Sequence, residues 1–194
     1  MQYLNLSNAG FYGIIPPHLG NLSHLQFLDL TADILQVENI QWVAGLVSLK
    51  HLALKGVDLS LVAGTTLVSA LNQLPFLMEL HLSNCVVIGQ IPSLPSLNFT
   101  SLSVLDLSFN GFLSNIPDWL VNISTLQHID ISNNGLMQIS LNQHSISQLL
   151  NIEEKTKREP MGMGSSFHTP IRGKTSQNTN GIITGTFTNY MKLI

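Results

Sequence analysis

The sequence has a single cysteine, Cys85, so no internal disulfide can form and no cysteine-based metal knuckle is available. Charged residues are sparse, and basic ones especially so in the first three quarters of the chain. Through Leu150, two lysines stand against eight acidic residues, a net charge of −6. A face that binds nucleic acid has to be basic, so this part excludes that partner class. From Asn151 onward six basic residues stand against three acidic ones, net +3, but the signs are interspersed and make no lipid-binding or nucleic-acid patch. No apolar run approaches the roughly 18 residues a membrane-spanning helix needs, so this segment itself is expected to make no membrane contact. A secretory leader would open with a basic stretch and an apolar block. Met1-Gln2-Tyr3-Leu4-Asn5-Leu6 instead alternates apolar and polar residues from the start.

What the chain has in abundance is leucine at fixed spacing. The pattern L-x-x-L-x-L starts at Leu25, Leu49, Leu77 and Leu102, with Met1 opening one further copy and Leu126 another that carries isoleucines, at a step of about 24 residues, stretched after Leu49. The expected strand cores are Leu4/Leu6, Leu28/Leu30, Leu52/Leu54, Leu80/Leu82, Leu105/Leu107 and Ile129/Ile131. Alternation with polar residues gives each strand one buried face. No single copy can bury its leucines, but stacked copies share one continuous core. The second half of each copy carries apolar residues every three or four positions. That suits a 3₁₀-like return path rather than a second strand. Val37–Leu46 and Leu67–Leu71 read as short helical segments.

Eight residues after each start stand Ala9, Asp33, Val57, Cys85, Asn110 and Asn134. At this inward turn a polar side chain can bond buried backbone groups of neighbouring copies, which require partners. Asn110, Asn134 and Asp33 are expected to do so, with Cys85 as a small buried thiol in the same place. The expected architecture is an α/β solenoid of about six repeats over residues 1–150. It has a parallel sheet on its concave face and a mostly irregular or 3₁₀ convex side. Residues 151–194, rich in polar and turn-forming residues, are expected to be a disordered or loosely attached tail.

The half-repeat L-x-G-x-I-P followed by L-G-N-L-S resembles the plant-specific class of leucine-rich repeats. Tyr3–Ser23, Val37–Trp42, Leu49–Ser60, Leu77–Cys85 and Phe99–Asn110 are similar to the receptor-like proteins of plant immunity, a subgroup that includes receptors for a fungal xylanase. The resemblance implies a leucine-rich repeat horseshoe on the extracellular side of the plasma membrane. It implies noncatalytic recognition of a protein or peptide ligand, including microbial elicitors, with a co-receptor kinase as partner and no cofactor. The polygalacturonase-inhibiting proteins share the I-P repeat, so an inhibitor of a microbial wall-degrading enzyme is the alternative, and a nonfunctional remnant a third. The leader, cysteine-paired cap and membrane helix of the family are not found in this sequence, which is therefore expected to be a fragment of an ectodomain.

Solenoids bind partners on the concave strand face. Tyr3, Phe27, His51, Glu79 and His128 fall in one outward row and His81 in the next; these non-consensus residues are the expected ligand-binding set. Asp29, Asp106 and Asp130 belong to the repeat consensus and read as structural. His51 and His81 lie on neighbouring strands, but their rows differ by two residues, roughly 7 Å along the strand, so no metal site is expected. Sequons at Asn5, Asn21, Asn98 and Asn122 mark expected N-glycosylation, with Asn5 disfavoured because a glycan there would cover the concave face.

Overall fold

The computed structural model describes residues 1–135 and, beyond them, the backbone of residues 139–141, 174–177, 183–186 and 192–193. Each repeat contributes a three-residue strand. These are β1 (Tyr3–Asn5), β3 (Phe27–Asp29), β5 (His51–Ala53), β6 (Glu79–His81), β8 (Val104–Asp106) and β10 (His128–Asp130). They pair in parallel and in chain order. The register is constant: Leu4, Leu28, Leu52, Leu80, Leu105 and Ile129 are successive partners along one row. From Leu28 onward this row is buried, and so is the row of Leu30, Leu54, Leu82, Leu107 and Ile131. Leu4 and Leu6 are only partly buried because β1 is the outermost strand of the sheet. The expected spine of shared leucines is therefore the core of the molecule.

The return paths hold two 3₁₀ turns (Pro17–Asn21 and Gln41–Gly45) and the helices α1 (Gly64–Leu71) and α2 (Asp118–Val121). Buried Trp42 sits on this side with its indole Nε1–H unpaired. Trp119 packs on Phe99 with ring centroids 5.8 Å apart and donates from Nε1 to the Pro92 carbonyl at 2.7 Å. The 3₁₀ turns stack backbone on backbone: a Cβ on Gly20 would lie 2.5 Å from the Trp42 carbonyl oxygen, and one on Gly45 would meet the Gly20 carbonyl.

Second-strand ladders are also present, contrary to the sequence expectation. β2 (Gly13–Ile14) pairs with β4 (Leu35–Gln36), and β7 (Ile88–Gly89) with β9 (Gly111–Phe112), all in parallel. The physical reason is the amide supply at the turn between the two sides. The N–H groups of Gly13, Ile15, Gly111 and Leu113 reach the carbonyls of Ile34, Gln36, Val87 and Gly89 at 2.7–3.0 Å, in the neighbouring repeat.

The tail expectation falls largely outside the described residues. From the tail, β13 (Ile183–Thr186) pairs antiparallel with β12 (Lys174–Gln177) and with β11 (Ile139–Leu141) of the preceding part, and β14 (Lys192–Leu193) pairs antiparallel with β10.

The inward turn is built as a side-chain ladder in the last repeats. Asn110 Nδ2 donates to the carbonyls of Leu82, Leu107 and Ser108 at 2.7, 3.1 and 3.2 Å, and its Oδ1 accepts from the Cys85 and Val87 amides, both at 3.1 Å. Asn134 repeats this with Leu107, Ile131 and Ser132 as acceptors and the Phe112 amide as donor. The residue before the ladder position is left-handed in five of six repeats: Asn8, Gly56, Asn84, Phe109 and Asn133.

Asp33 does not join the ladder, which corrects the sequence expectation. Ala32 before it is not left-handed, the Asp33 Oδ1 lies beside Gly56 of the following repeat, and Asp33 is exposed without a hydrogen bond among the described residues.

Cys85 is fully buried and its thiol donates to the Leu54 carbonyl at 3.0 Å. Burial is the chief cause that pushes its pKa from 9.0 up to about 12. The unfolded thiol ionises near 9.0, so ionisation favours the unfolded chain as pH rises from there, and this contribution to stability is lost towards about pH 12. Native Cys85 is expected to resist a disulfide reagent at pH 8 and to react fully in denaturant. Labelling of the folded chain at the rate of a free thiol would contradict this burial.

Candidate ligand-binding face

The constant register carries the outward rows as faithfully as the core row. Tyr3, Phe27, His51, Glu79, Val104 and His128 are successive partners, as are Asn5, Asp29, Ala53, His81, Asp106 and Asp130. Parallel strands hold such side chains about 4.8 Å apart, which is close to stacking distance. Tyr3 stacks on Phe27 with centroids 4.3 Å apart and planes 14° apart, and Phe27 stacks on His51 at 4.2 Å and 7°. The stack is open to solvent at one end, where Tyr3 is 61% exposed. Val104 interrupts the row before half-buried His128, so His128 stands apart from the stack.

At its other end the stack meets a charged cluster. Glu79 Oε2 lies 2.8 Å from His51 Nδ1 and 3.7 Å from His81 Nε2, and the two imidazole centroids are 5.3 Å apart. The row offset of His51 and His81 therefore does not keep them apart, and Glu79 is a carboxylate close to both. Glu79 is the direct register partner of His51 and lies two residues before His81 on the same strand face, so its flexible stem reaches both rings. The signal was present in the aligned rows as His51 beside Glu79. Lys55, which the sequence reading left aside, stands 3.9 Å from Asp106 beside this cluster.

Burial is the largest cause lowering the His81 pKa, followed by the nearby Lys55 and His51 charges; Asp106 and Glu79 act the other way. The ring is therefore held towards its neutral form. Its Nδ1 is buried with no hydrogen-bond partner.

The consensus acids terminate strands. Asp29 Oδ1 accepts from the Thr31 amide at 2.9 Å, and Asp106 and Asp130 accept from the Ser108 and Ser132 amides at 3.0 Å and hydroxyls at 2.6 Å. These bonds draw Ser108 and Ser132, two residues further along their strands, inward, where both are buried. Asn5 plays the same part for Ser7, accepting at 2.9 and 2.8 Å. All four sequon asparagines, Asn5, Asn21, Asn98 and Asn122, are exposed.

The leucine-rich repeat family model matches residues 1–22 and 101–123. Receptor-like protein EIX1 of Solanum lycopersicum is 36% identical over 141 residues, covering 70% of this chain and 13% of that protein. Receptor like protein 22 of Arabidopsis thaliana is 33% identical over 137 residues, covering 70% of this chain and 17% of that protein. The chain thus spans less than a fifth of either curated relative. Among solved structures, the plant peptide hormone receptor RGFR1 in complex with RGF2 superposes with a TM-score of 0.56 at 28% identity, covering 70% of this chain and 21% of that one. A Leptospira interrogans leucine-rich repeat protein superposes with a TM-score of 0.55 at 23% identity, covering 78% and 35%, which shows the shared fold. Repeat spacing, sheet and relatives agree that the chain belongs to the leucine-rich repeat proteins, of the plant receptor-like kind.

Proposed function

We propose that this segment is a noncatalytic recognition surface of a plant cell-surface receptor-like protein in defence, reading a protein or peptide ligand on the outward face of its sheet. The observation that supports this most is the continuous row from Tyr3 through Phe27 and His51 to Glu79. Rigid aromatic rings lead there into a half-exposed carboxylate. Stacked rings lose little side-chain freedom on binding and offer large contact area, which is the make-up of an energetic anchor. The similarity to a peptide hormone receptor fits a partner of that chemistry. Microbial elicitors, a co-receptor kinase bound by the parent receptor, an extracellular position and glycans on Asn21, Asn98 and Asn122 belong to the same reading. No helix among the described residues is long and apolar enough to cross a membrane.

The test is surface plasmon resonance with the chain, and in parallel its full-length parent receptor, against purified fungal xylanase, polygalacturonase and a displayed peptide library. Phe27→Ala is expected to weaken the captured ligand about 30-fold, corresponding to an anchor of about 2 kcal/mol. Binding that is indifferent to Phe27→Ala and Tyr3→Ala, or the absence of saturable binding by both proteins, would count against the reading. Inhibition of polygalacturonase turnover by the chain alone would support an inhibitor instead.

A further inference from the structure

We propose that His51, Glu79 and His81 form a site for a divalent transition metal of the zinc class on the outward face of the sheet. One donor atom from each residue lies within 4.8 Å of the other two. A tetrahedral zinc with bonds of about 2.0–2.1 Å places its ligand atoms about 3.3–3.4 Å apart. Glu79 Oε2 stands on both sides of that spacing, 2.8 Å from His51 Nδ1 and 3.7 Å from His81 Nε2. A small rotation of the Glu79 carboxylate away from His51 and towards His81 therefore brings both gaps towards the ideal. Two imidazoles and one carboxylate suit zinc, cobalt, nickel or copper rather than calcium or magnesium, which call for an all-oxygen set.

Three features of the fold point the same way. First, the donors are supplied by rigid strands: His51 and Glu79 are register partners on β5 and β6, and His81 follows Glu79 by two residues on the same face. Second, Phe27 lies flat on the His51 ring, which fixes the plane from which Nδ1 projects towards Glu79. Third, His81 makes no hydrogen bond at either ring nitrogen, and its Nδ1 is buried. The Nε2 that faces Glu79 therefore has no hydrogen bond to give up, and its lone pair is open to a cation. Lys55, the nearest competing cation, has Asp106 3.9 Å away to offset it.

Three protein donors leave a fourth coordination position free, as in metal sites that take up an exogenous ligand. The Glu79 side chain is 46% exposed, so this position opens to the face along which a partner would lie. A carboxylate or imidazole of a docked protein is the class of group that would complete it. Metal uptake by the chain can be measured whether or not the receptor reading holds, so the two fail separately.

The experiment is titration of the whole 194-residue chain with cobalt(II), followed by visible absorption, and with zinc(II), followed by calorimetry. One equivalent is expected, with the visible bands of four-coordinate cobalt. Loss of an outer partner of a metal ligand alone weakens binding about 10–100-fold, so Glu79→Gln, His51→Gln and His81→Gln are each expected to weaken it at least about a hundredfold. His18→Gln and His24→Gln, both exposed and outside the cluster, are expected to leave it unchanged. Circular dichroism of the metal-free variants checks the fold. If a histidine variant fails to fold, half-exposed Glu79→Gln carries the test. No saturable uptake, uptake indifferent to Glu79→Gln, or uptake lost with His18 or His24 would overturn the site.

Discussion

Asn110→Ala is expected to destabilise the protein by about 3–5 kcal/mol. The side chain serves five backbone groups in two repeats. Two of its acceptors keep other donors, since Leu107 carbonyl also receives Asn134 Nδ2 and Ser108 carbonyl receives the Asn84 amide. The Cys85 and Val87 amides and the Leu82 carbonyl lose their partner outright. An unsatisfied buried group costs about 1–3 kcal/mol, and three of them give the stated range after partial relaxation. Asn134→Ala should cost less, because Asn134 holds one amide where Asn110 holds two. Asn110→Asp separates donor from acceptor: it keeps Oδ1 for the two amides but turns an oxygen towards three carbonyls, so it too should destabilise. Urea unfolding gives the magnitude and hydrogen exchange the location, with protection lost first at Cys85 and Val87. A loss below about 1 kcal/mol would mean that the ladder is decoration on a turn already closed by backbone.

The spine was legible because leucine spacing alone dictates it. A residue that must be buried in every copy, with a strand period of two, leaves one register, and the register then fixes every outward row. Tyr3, Phe27, His51 and Glu79 could thus be aligned without coordinates, and they are aligned in the sheet. What spacing does not encode is reach and backbone handedness. Glu79 closes on two histidines because its stem bends along the strand, a side-chain degree of freedom that a row assignment ignores. Asp33 stands at the ladder position but misses the ladder because Ala32 before it lacks the left-handed turn. Phe109 and Val86 adopt that conformation despite their bulk, so residue type does not announce it there. The short second ladders escaped for a related reason: they answer a demand for backbone partners rather than a pattern of side chains.

Gly45→Ala sets two effects of opposite sign against each other, and steric repulsion is expected to win. Alanine is the better helix former by up to about 1 kcal/mol, so an exposed turn would gain from the change. Gly45 is not in open space: its Cβ would run into the carbonyl of Gly20 in the stacked turn of the preceding repeat. The obstacle is backbone, which cannot swing aside as the end of a long side chain can. Nor can the two turns simply separate. The strands on the opposite side of the same repeats are held at about 4.8 Å by their hydrogen bonds, so widening the return side would bend one repeat away from the next. Leu25, Leu46 and Leu49, fully buried at this junction, would lose their contacts as it opened. Overpacking of this kind costs 1–3 kcal/mol and sometimes more, and a backbone collision belongs at the upper end, so a net loss of about 3 kcal/mol is expected. For a chain of this size that lowers the melting temperature by about 6–12 °C. Gly20→Ala, whose Cβ would lie 2.5 Å from the Trp42 carbonyl oxygen, should act in the same direction. A Gly45→Ala protein that melts at or above the parent temperature would show that helix propensity governs this junction, and that the two turns do not meet backbone to backbone.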